Sequence, residues 1–187
     1  MRFPTPLIKG TLVRRYKRFM ADIVLETGDK ITAHCANSGS MMGVMDEGAE
    51  VWVSLADNPK RKLKYTWELI RVGESLVGIN TSLPNKIAQE SIENGVVEEL
   101  QGYDTLRREV KYGKNSRIDI FLEDLAKPAC YVEVKNVTLR RDRLAEFPDA
   151  VTERGLKHIN ELLEAKKRGF DIYLAFIIQR EDCKKFK

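Results

Sequence analysis

A chain of 187 residues with 43% hydrophobic residues is long enough for one ordinary core or two small ones. Its charge, +4 from 32 basic and 28 acidic residues, is mixed in sign; it permits a nucleic-acid partner without demanding one. Three cysteines without paired spacing argue against a disulfide framework and for a reducing compartment, and no apolar run approaches the roughly 20 residues of a membrane span. The start, MRFPTPLIKG, lacks the apolar region of a secretory signal. The expectation is a soluble, cytoplasmic protein with no membrane partner.

Residues 5–80 read as short strands. Residues 11–25 are long and β-rich, and Thr27-Gly28-Asp29 makes a turn into a further strand at 30–35. Residues 37–43 form a small-residue loop. Residues 50–55 and 65–72 alternate apolar and polar, with a turn at Asp57-Asn58-Pro59 between them, and 76–80 adds a last strand. Five short strands without a long helix predict a small barrel of the OB type over residues 1–82.

Two basic clusters fall in that region. Arg14, Arg15, Lys17 and Arg18 interleave with Tyr16 and Phe19, and Lys60, Arg61, Lys62 and Lys64 follow in a loop. Basic side chains track phosphates and aromatic rings stack on bases, so both clusters are candidate nucleic-acid contacts. Phe19 is expected in the core. His34 and Cys35 have no further ligands at metal spacing, which argues against zinc.

From Pro84 the pattern changes. Residues 85–100 carry Ile87, Ser91, Ile92 and Val96 at helical spacing. Strands are predicted at 106–112, 117–122 and 131–139, then an extended stretch at 140–147. Asp149 reads as the cap of a helix whose apolar stripe is Val151, Leu156, Ile159 and Leu163, and which stops at Arg168-Gly169. The apolar run 172–178 is expected as a central strand. Residues 83–187 therefore form an α/β domain with a mixed sheet, and the whole chain is α+β.

The chemistry concentrates at Asp119 and at Glu133-Val134-Lys135, fourteen residues later. Both lie in apolar strands, where a charge is costly unless paired or bound to a cation. Side chains alternate faces along a strand, so Glu133 and Lys135 share one side, and hairpin pairing brings Asp119 beside Glu133. Two such carboxylates repel unless a cation sits between them, and Mg2+ or Mn2+ with phosphate oxygens suits that donor set. Lys135 then orients an attacking water or balances charge. Arg154 and His158, four apart on one helix face, are candidate phosphate contacts.

This order of acid, apolar strand with Glu-x-Lys and following helix resembles the PD-(D/E)xK nuclease superfamily. Such cores often draw a third acid from the first helix, and Glu90 is the candidate metal ligand. A closer resemblance, over nearly the whole chain, is to the sugar fermentation stimulation protein family. It is carried by Arg15-Tyr16-Lys17-Arg18-Phe19, His34-Cys35-Ala36-Asn37-Ser38-Gly39-Ser40-Met41, Glu109-Val110-Lys111-Tyr112-Gly113, Ser116-Arg117-Ile118-Asp119, Tyr131-Val132-Glu133-Val134-Lys135 and Phe147-Pro148-Asp149 with the residues after it. The resemblance implies an OB-like domain, a nuclease-like domain, DNA as partner with little sequence specificity, and a link by name to regulation of sugar (maltose) metabolism. Members run on for another helix and strand beyond Lys187, which implies a shortened C-terminal sheet here. The functional expectation is a DNA-binding protein with a Mg2+- or Mn2+-dependent phosphodiesterase site. The alternatives are a regulator that binds DNA without cutting it, and an oligosaccharide-binding protein.

Overall fold

A computed structural model of the chain describes residues 1–112, 116–149 and 153–187, with Arg154 described by its backbone alone. In β1 (Ile8–Tyr16) Gly10 and Leu12 turn inward; in β2 (Met20–Leu25) Ala21, Ile23 and Leu25 do so. β3 (Lys30–His34) contributes Ala33, and β4 (Glu50–Leu55) contributes Val51 and Val53. In β5 (Tyr65–Val72) Trp67 and Ile70 are fully buried, as is Val77 of β6 (Ser75–Gly78). Each fully buried Leu or Ile contributes roughly 1.5–3 kcal/mol to this core.

The strands follow the order β3-β2-β1-β4-β5-β6, and β3 also pairs with β5. That extra pairing, parallel through Ala33↔Tyr65 and His34↔Thr66, closes five strands into the expected barrel, with β6 added on β5. The long strand expected at 11–25 is broken by a turn at Lys17 and Arg18, whose φ angles are +46° and +65°. No glycine, proline or asparagine marks this turn, so the sequence conceals it.

The second unit starts at α1 (Pro84–Glu93), with proline in the first turn, where its missing N–H costs nothing. The helix is shorter than expected: it stops at Asn94, and Glu98–Leu100 is a separate 3-10 turn. β7 (Thr105–Tyr112), β8 (Ser116–Glu123) and β9 (Cys130–Val137) form antiparallel neighbours. Two short strands, β10 (Arg140–Arg141) and β11 (Leu144–Ala145), fall in the stretch expected to be extended. Then come α2 (Glu153–Lys167), β12 (Asp171–Ile178) and β13 (Lys185–Phe186). The main sheet is ordered β12-β9-β8-β7, so β12 lies at an edge among the described strands, not in the centre as its apolar run predicted.

One face of this sheet packs Ile120, Leu122, Val132 and Val134 with Ala88 and Ile92 of α1. The opposite face packs Phe121 and Tyr131 with Leu162 and Ala165 of α2. The expected stripe of α2 therefore faces the wrong way. Leu156, Ile159 and Leu163 are 62%, 43% and 53% exposed, while Leu162 and Ala165 are buried. Both faces of α2 carry apolar residues, and the spacing alone chose the outer one. Val151, also assigned to that stripe, lies outside the described residues.

Contacts group residues 83–136 and 151–177 in one unit, and residues 2–82, 137–150 and 178–187 in another. The sequence places a domain boundary near residue 82, and the contacts set two later segments with the barrel. The last segment joins the barrel because Gly78 donates its N–H to Gln179 at 2.9 Å and Val77 bridges to Arg180. Asp149 joins it through Ser40, whose hydroxyl donates to its carboxylate at 3.1 Å. No helix among the described residues is long and apolar enough to cross a membrane.

Candidate functional site

Strand register sets three carboxylates in one row. The β7–β8 ladder pairs Arg108 with Ile120 and Val110 with Ile118, so Glu109 falls opposite Asp119. The β8–β9 ladder ends at Ile120↔Val132, and one further step sets Asp119 opposite Glu133. Both flanking positions depart from regular strand. Glu109 has φ of +54°, in the left-handed region. Asp119 Oδ2 takes the Val134 N–H at 2.7 Å, so a side chain stands where the ladder stops.

Glu133 is 4% exposed. Its Oε1 accepts Lys135 Nζ at 2.7 Å and lies 2.9 Å from His158 Nδ1, while its Oε2 is buried without a partner among the described residues. Asp119 Oδ1 accepts Asn85 Nδ2 at 2.8 Å, and the same amide reaches Glu109 Oε1 at 3.4 Å. Burial raises the Asp119 carboxyl above its ordinary pKa, and the charges of Glu133 and Glu109 raise it further against the Val134 and Asn85 hydrogen bonds. The Tyr112 phenol is pushed up by burial and then by Glu133, Glu161 and Asp119. Its hydroxyl and Glu161 Oε2 are also buried without partners among the described residues. Orphaned polar atoms are rare in interiors, and several in one place mark a functional site.

Of the residues singled out from sequence, Asp119, Glu133, Lys135 and His158 come together. Glu90 does not. It is 46% exposed at its side chain and pairs with the Met1 amino group at 2.9 Å. The residue α1 brings to the site is Asn85, the second residue of the helix, where a small polar residue reads as ordinary. Glu109, Tyr112 and Glu161 were also missed. Glu161 had a signal, since it lies three residues after His158 on the same helix face. The Arg154 side chain lies outside the described residues.

Among the described residues, no three of His, Cys, Asp and Glu close into a ready-made metal cage. The donors do fit Mg2+ or Mn2+, which are held by one or two carboxylates with waters and phosphate oxygens. Asp119 and Glu133 supply those oxygens, and the unpartnered Oε2 of Glu133 has capacity left for a cation.

The basic clusters reach into two loops of the barrel, with Arg14 and Arg15 still in β1. Lys17 and Arg18 are exposed in the β1–β2 turn, and Lys60 and Lys62 are exposed in the β4–β5 loop. In five-stranded barrels of this kind the corresponding loops flank the ligand face. Other members of the clusters are engaged. Arg14 pairs with Asp22 at 2.9 Å and lies 4.8 Å over the Tyr16 ring. Arg15 donates to the carbonyls of Asn37 and Gly39 at 2.9 and 3.2 Å, which ties down the small-residue loop. Arg61 donates to Thr66 Oγ1 at 2.9 Å. Phe19, expected in the core, is 45% exposed.

Comparison with known proteins agrees with this architecture. Residues 13–79 match the model of the SfsA N-terminal OB domain, and residues 82–187 match that of the sugar fermentation stimulation protein RE domain. The sugar fermentation stimulation protein homolog of Paramagnetospirillum magneticum is 54% identical over 187 residues, covering 100% of this chain and 79% of the relative. That of Maricaulis maris is 55% identical over 184 residues, covering 98% and 78%. A solved structure of Pyrococcus furiosus SfsA, described as in complex with Ca2+, superposes with a TM-score of 0.89 at 27% identity, covering 100% of this chain and 78% of that one. The chain belongs to the sugar fermentation stimulation protein family, with an OB domain followed by an RE domain.

Proposed function

We propose that the chain binds DNA with little sequence specificity and hydrolyses phosphodiester bonds at the Asp119–Glu133–Lys135 site, using Mg2+ or Mn2+. The observation that carries this reading is the row of Glu109, Asp119 and Glu133 with an unpartnered buried oxygen on Glu133. That the Pyrococcus furiosus relative is described in complex with Ca2+ supports a cation-holding fold.

Asp119 and Glu133 would hold the cation, which supplies a water acidic enough to attack and neutralises phosphoryl charge. Asn85 and the Val134 N–H fix the Asp119 carboxylate from two sides. Lys135 and His158 fix one oxygen of Glu133 and leave the other free to bind. The Lys135 ammonium orients the attacking water or offsets charge that develops on the phosphate. Lys17, Arg18, Lys60 and Lys62 hold the DNA backbone. The role in sugar metabolism that the family's name carries would follow from this DNA binding, in the cytoplasm.

A second reading, DNA binding without cleavage, is favoured by Asn85. α1 contributes a neutral amide to the site rather than a further carboxylate, and a cation is held less strongly. Nicking of supercoiled plasmid with Mg2+ or Mn2+ separates the two. Wild type should nick, and Glu133→Gln should not while still binding DNA. Wild type that binds DNA but leaves duplex, single strand and RNA intact would move the conclusion to the second reading. Absence of binding would sink both.

A further inference from the structure

Phe19 and His34 form a stacked pair on the outside of the barrel, and both basic loops close on it. The Phe19 and His34 ring centroids are 6.4 Å apart with 18° between planes. Phe19 ends the β1–β2 turn directly after Lys17 and Arg18. Its backbone N–H donates to the Lys17 carbonyl at 2.7 Å, which fixes the turn that projects the ring. From the other side, His34 lies opposite Thr66 in the β3–β5 pairing, and Arg61 of the β4–β5 loop donates to that threonine's hydroxyl at 2.9 Å.

Exposing nearly half of a phenyl ring forgoes burial that a phenylalanine ordinarily seeks. Here the exposed ring is backed by a second flat ring and flanked by cations. The side chains of Lys17, Arg18 and Lys62 make no ion pair or hydrogen bond among the described residues. Burial and the nearby Arg61 charge hold the His34 pKa below its ordinary value, so the imidazole stacks as a neutral ring. A flat surface bordered by free cations suits a base with its phosphates. A duplex hides the faces of its bases, whereas a single strand offers them.

We infer that the Phe19–His34 pair is a base-stacking platform and that this face of the barrel takes single-stranded nucleic acid in preference to duplex. The inference rests on the reading of the chain as nucleic-acid-binding and is independent of cleavage.

The test is fluorescence anisotropy of the full chain, without divalent cation, titrated into a thymidine oligonucleotide of about 20 nucleotides and a duplex of the same length. That length exceeds the roughly 4–16 nucleotides one such barrel covers. Wild type should bind the single strand more tightly. Phe19→Ala should weaken single-strand binding roughly 5- to 150-fold, the loss of one stacked base, and leave duplex binding unchanged. Phe19→Tyr should restore it, and His34→Ala should fall between. Phe19→Trp should show tryptophan quenching that the single strand alone produces. Equal affinity for both nucleic acids, or a Phe19→Ala variant that binds like wild type, would overturn the platform and leave DNA binding standing. Binding to neither would overturn both.

Discussion

Asp119 Oδ2 accepts the Val134 N–H at 2.7 Å, one residue past Glu133, the partner that strand register assigns to Asp119. The hydrogen bond ends the ladder and leaves two carboxylates facing each other without a backbone pair between them. Sheet pairing gives way there to a cluster of charged side chains.

That geometry has a sign in pH. The folded Asp119 pKa is raised, first by burial. Protonation therefore favours the fold: this stabilisation is fully present below the unfolded pKa and is lost as pH rises through the folded one. Asp119→Asn, which cannot ionise, should melt above wild type at neutral pH, with the gap closing as pH falls into the carboxylate range. Mg2+ or Mn2+ should raise the Tm of wild type and leave that of the variant unmoved. Thermal melts across pH, with and without cation, decide it. A variant that melts below wild type at pH 7 would mean that the two hydrogen bonds to Asp119 outweigh its charge.

Lys135 separates stability from chemistry. Lys135→Met leaves the 4% exposed Glu133 with His158 as its one partner among the described residues. Stability should fall by about 1–3 kcal/mol, as for a buried acceptor that loses its partner. Adding Glu133→Gln should recover most of that loss, since the uncompensated charge is gone. Urea unfolding of the two single variants and the double variant gives the coupling. A double variant no more stable than Lys135→Met would rule the charge out as the cause.

Salt dependence should sort the basic residues. Lys17→Ala or Lys62→Ala should each lower the slope of log K against log salt by about 0.9, if each meets one phosphate. Arg14→Ala should change it less, because Asp22 already holds that guanidinium. Arg15→Ala should lower Tm instead, by freeing the Asn37–Gly39 loop.

Arg180 anchors the chain's last segment. Its side chain is 3% exposed, donates twice to Asp182 and holds the Thr138 carbonyl at 2.8 Å. Arg180 and Arg140 bring the Asp182 carboxyl down to about 2, so its stabilisation is present above the ordinary carboxylate pKa and is lost as pH falls towards 2. Arg180→Ala should cost about 1–3 kcal/mol at neutral pH, since it removes two hydrogen bonds to the half-buried Asp182, which keeps Arg140 as a partner. Asp182→Asn should cost less the closer the measurement comes to pH 2. Equal losses at both ends of that range would exclude the ion pair as their source.

Asp119, Glu133 and Lys135 were legible because period-two alternation and hairpin register are arithmetic on the sequence. The barrel was legible for the same reason. The β1–β2 turn was not, because Lys17 and Arg18 adopt left-handed backbone without any residue that advertises it. Asn85 was passed over for Glu90 because the expectation of a third acid looked for charge, and the site uses an amide. α2 was turned over because its buried face is mixed: His158 and Glu161 share it with Leu162 and Ala165. The return of residues 178–187 to the barrel rests on Gln179 and Arg180, polar residues with no spacing signal at all.

Glu109, held at φ +54° directly across from Asp119, has a consequence for evolution in the laboratory. Left-handed backbone at a residue other than glycine costs on the order of 1–2 kcal/mol. A library of this protein selected only for heat resistance should therefore enrich glycine at 109, together with asparagine at 119. Those two replacements relieve the strain and the buried charge, and both strip the row. Thermal selection would thus act on the row as it acts on the left-handed turn at Lys17 and Arg18, so heat resistance and the site pull the sequence in opposite directions.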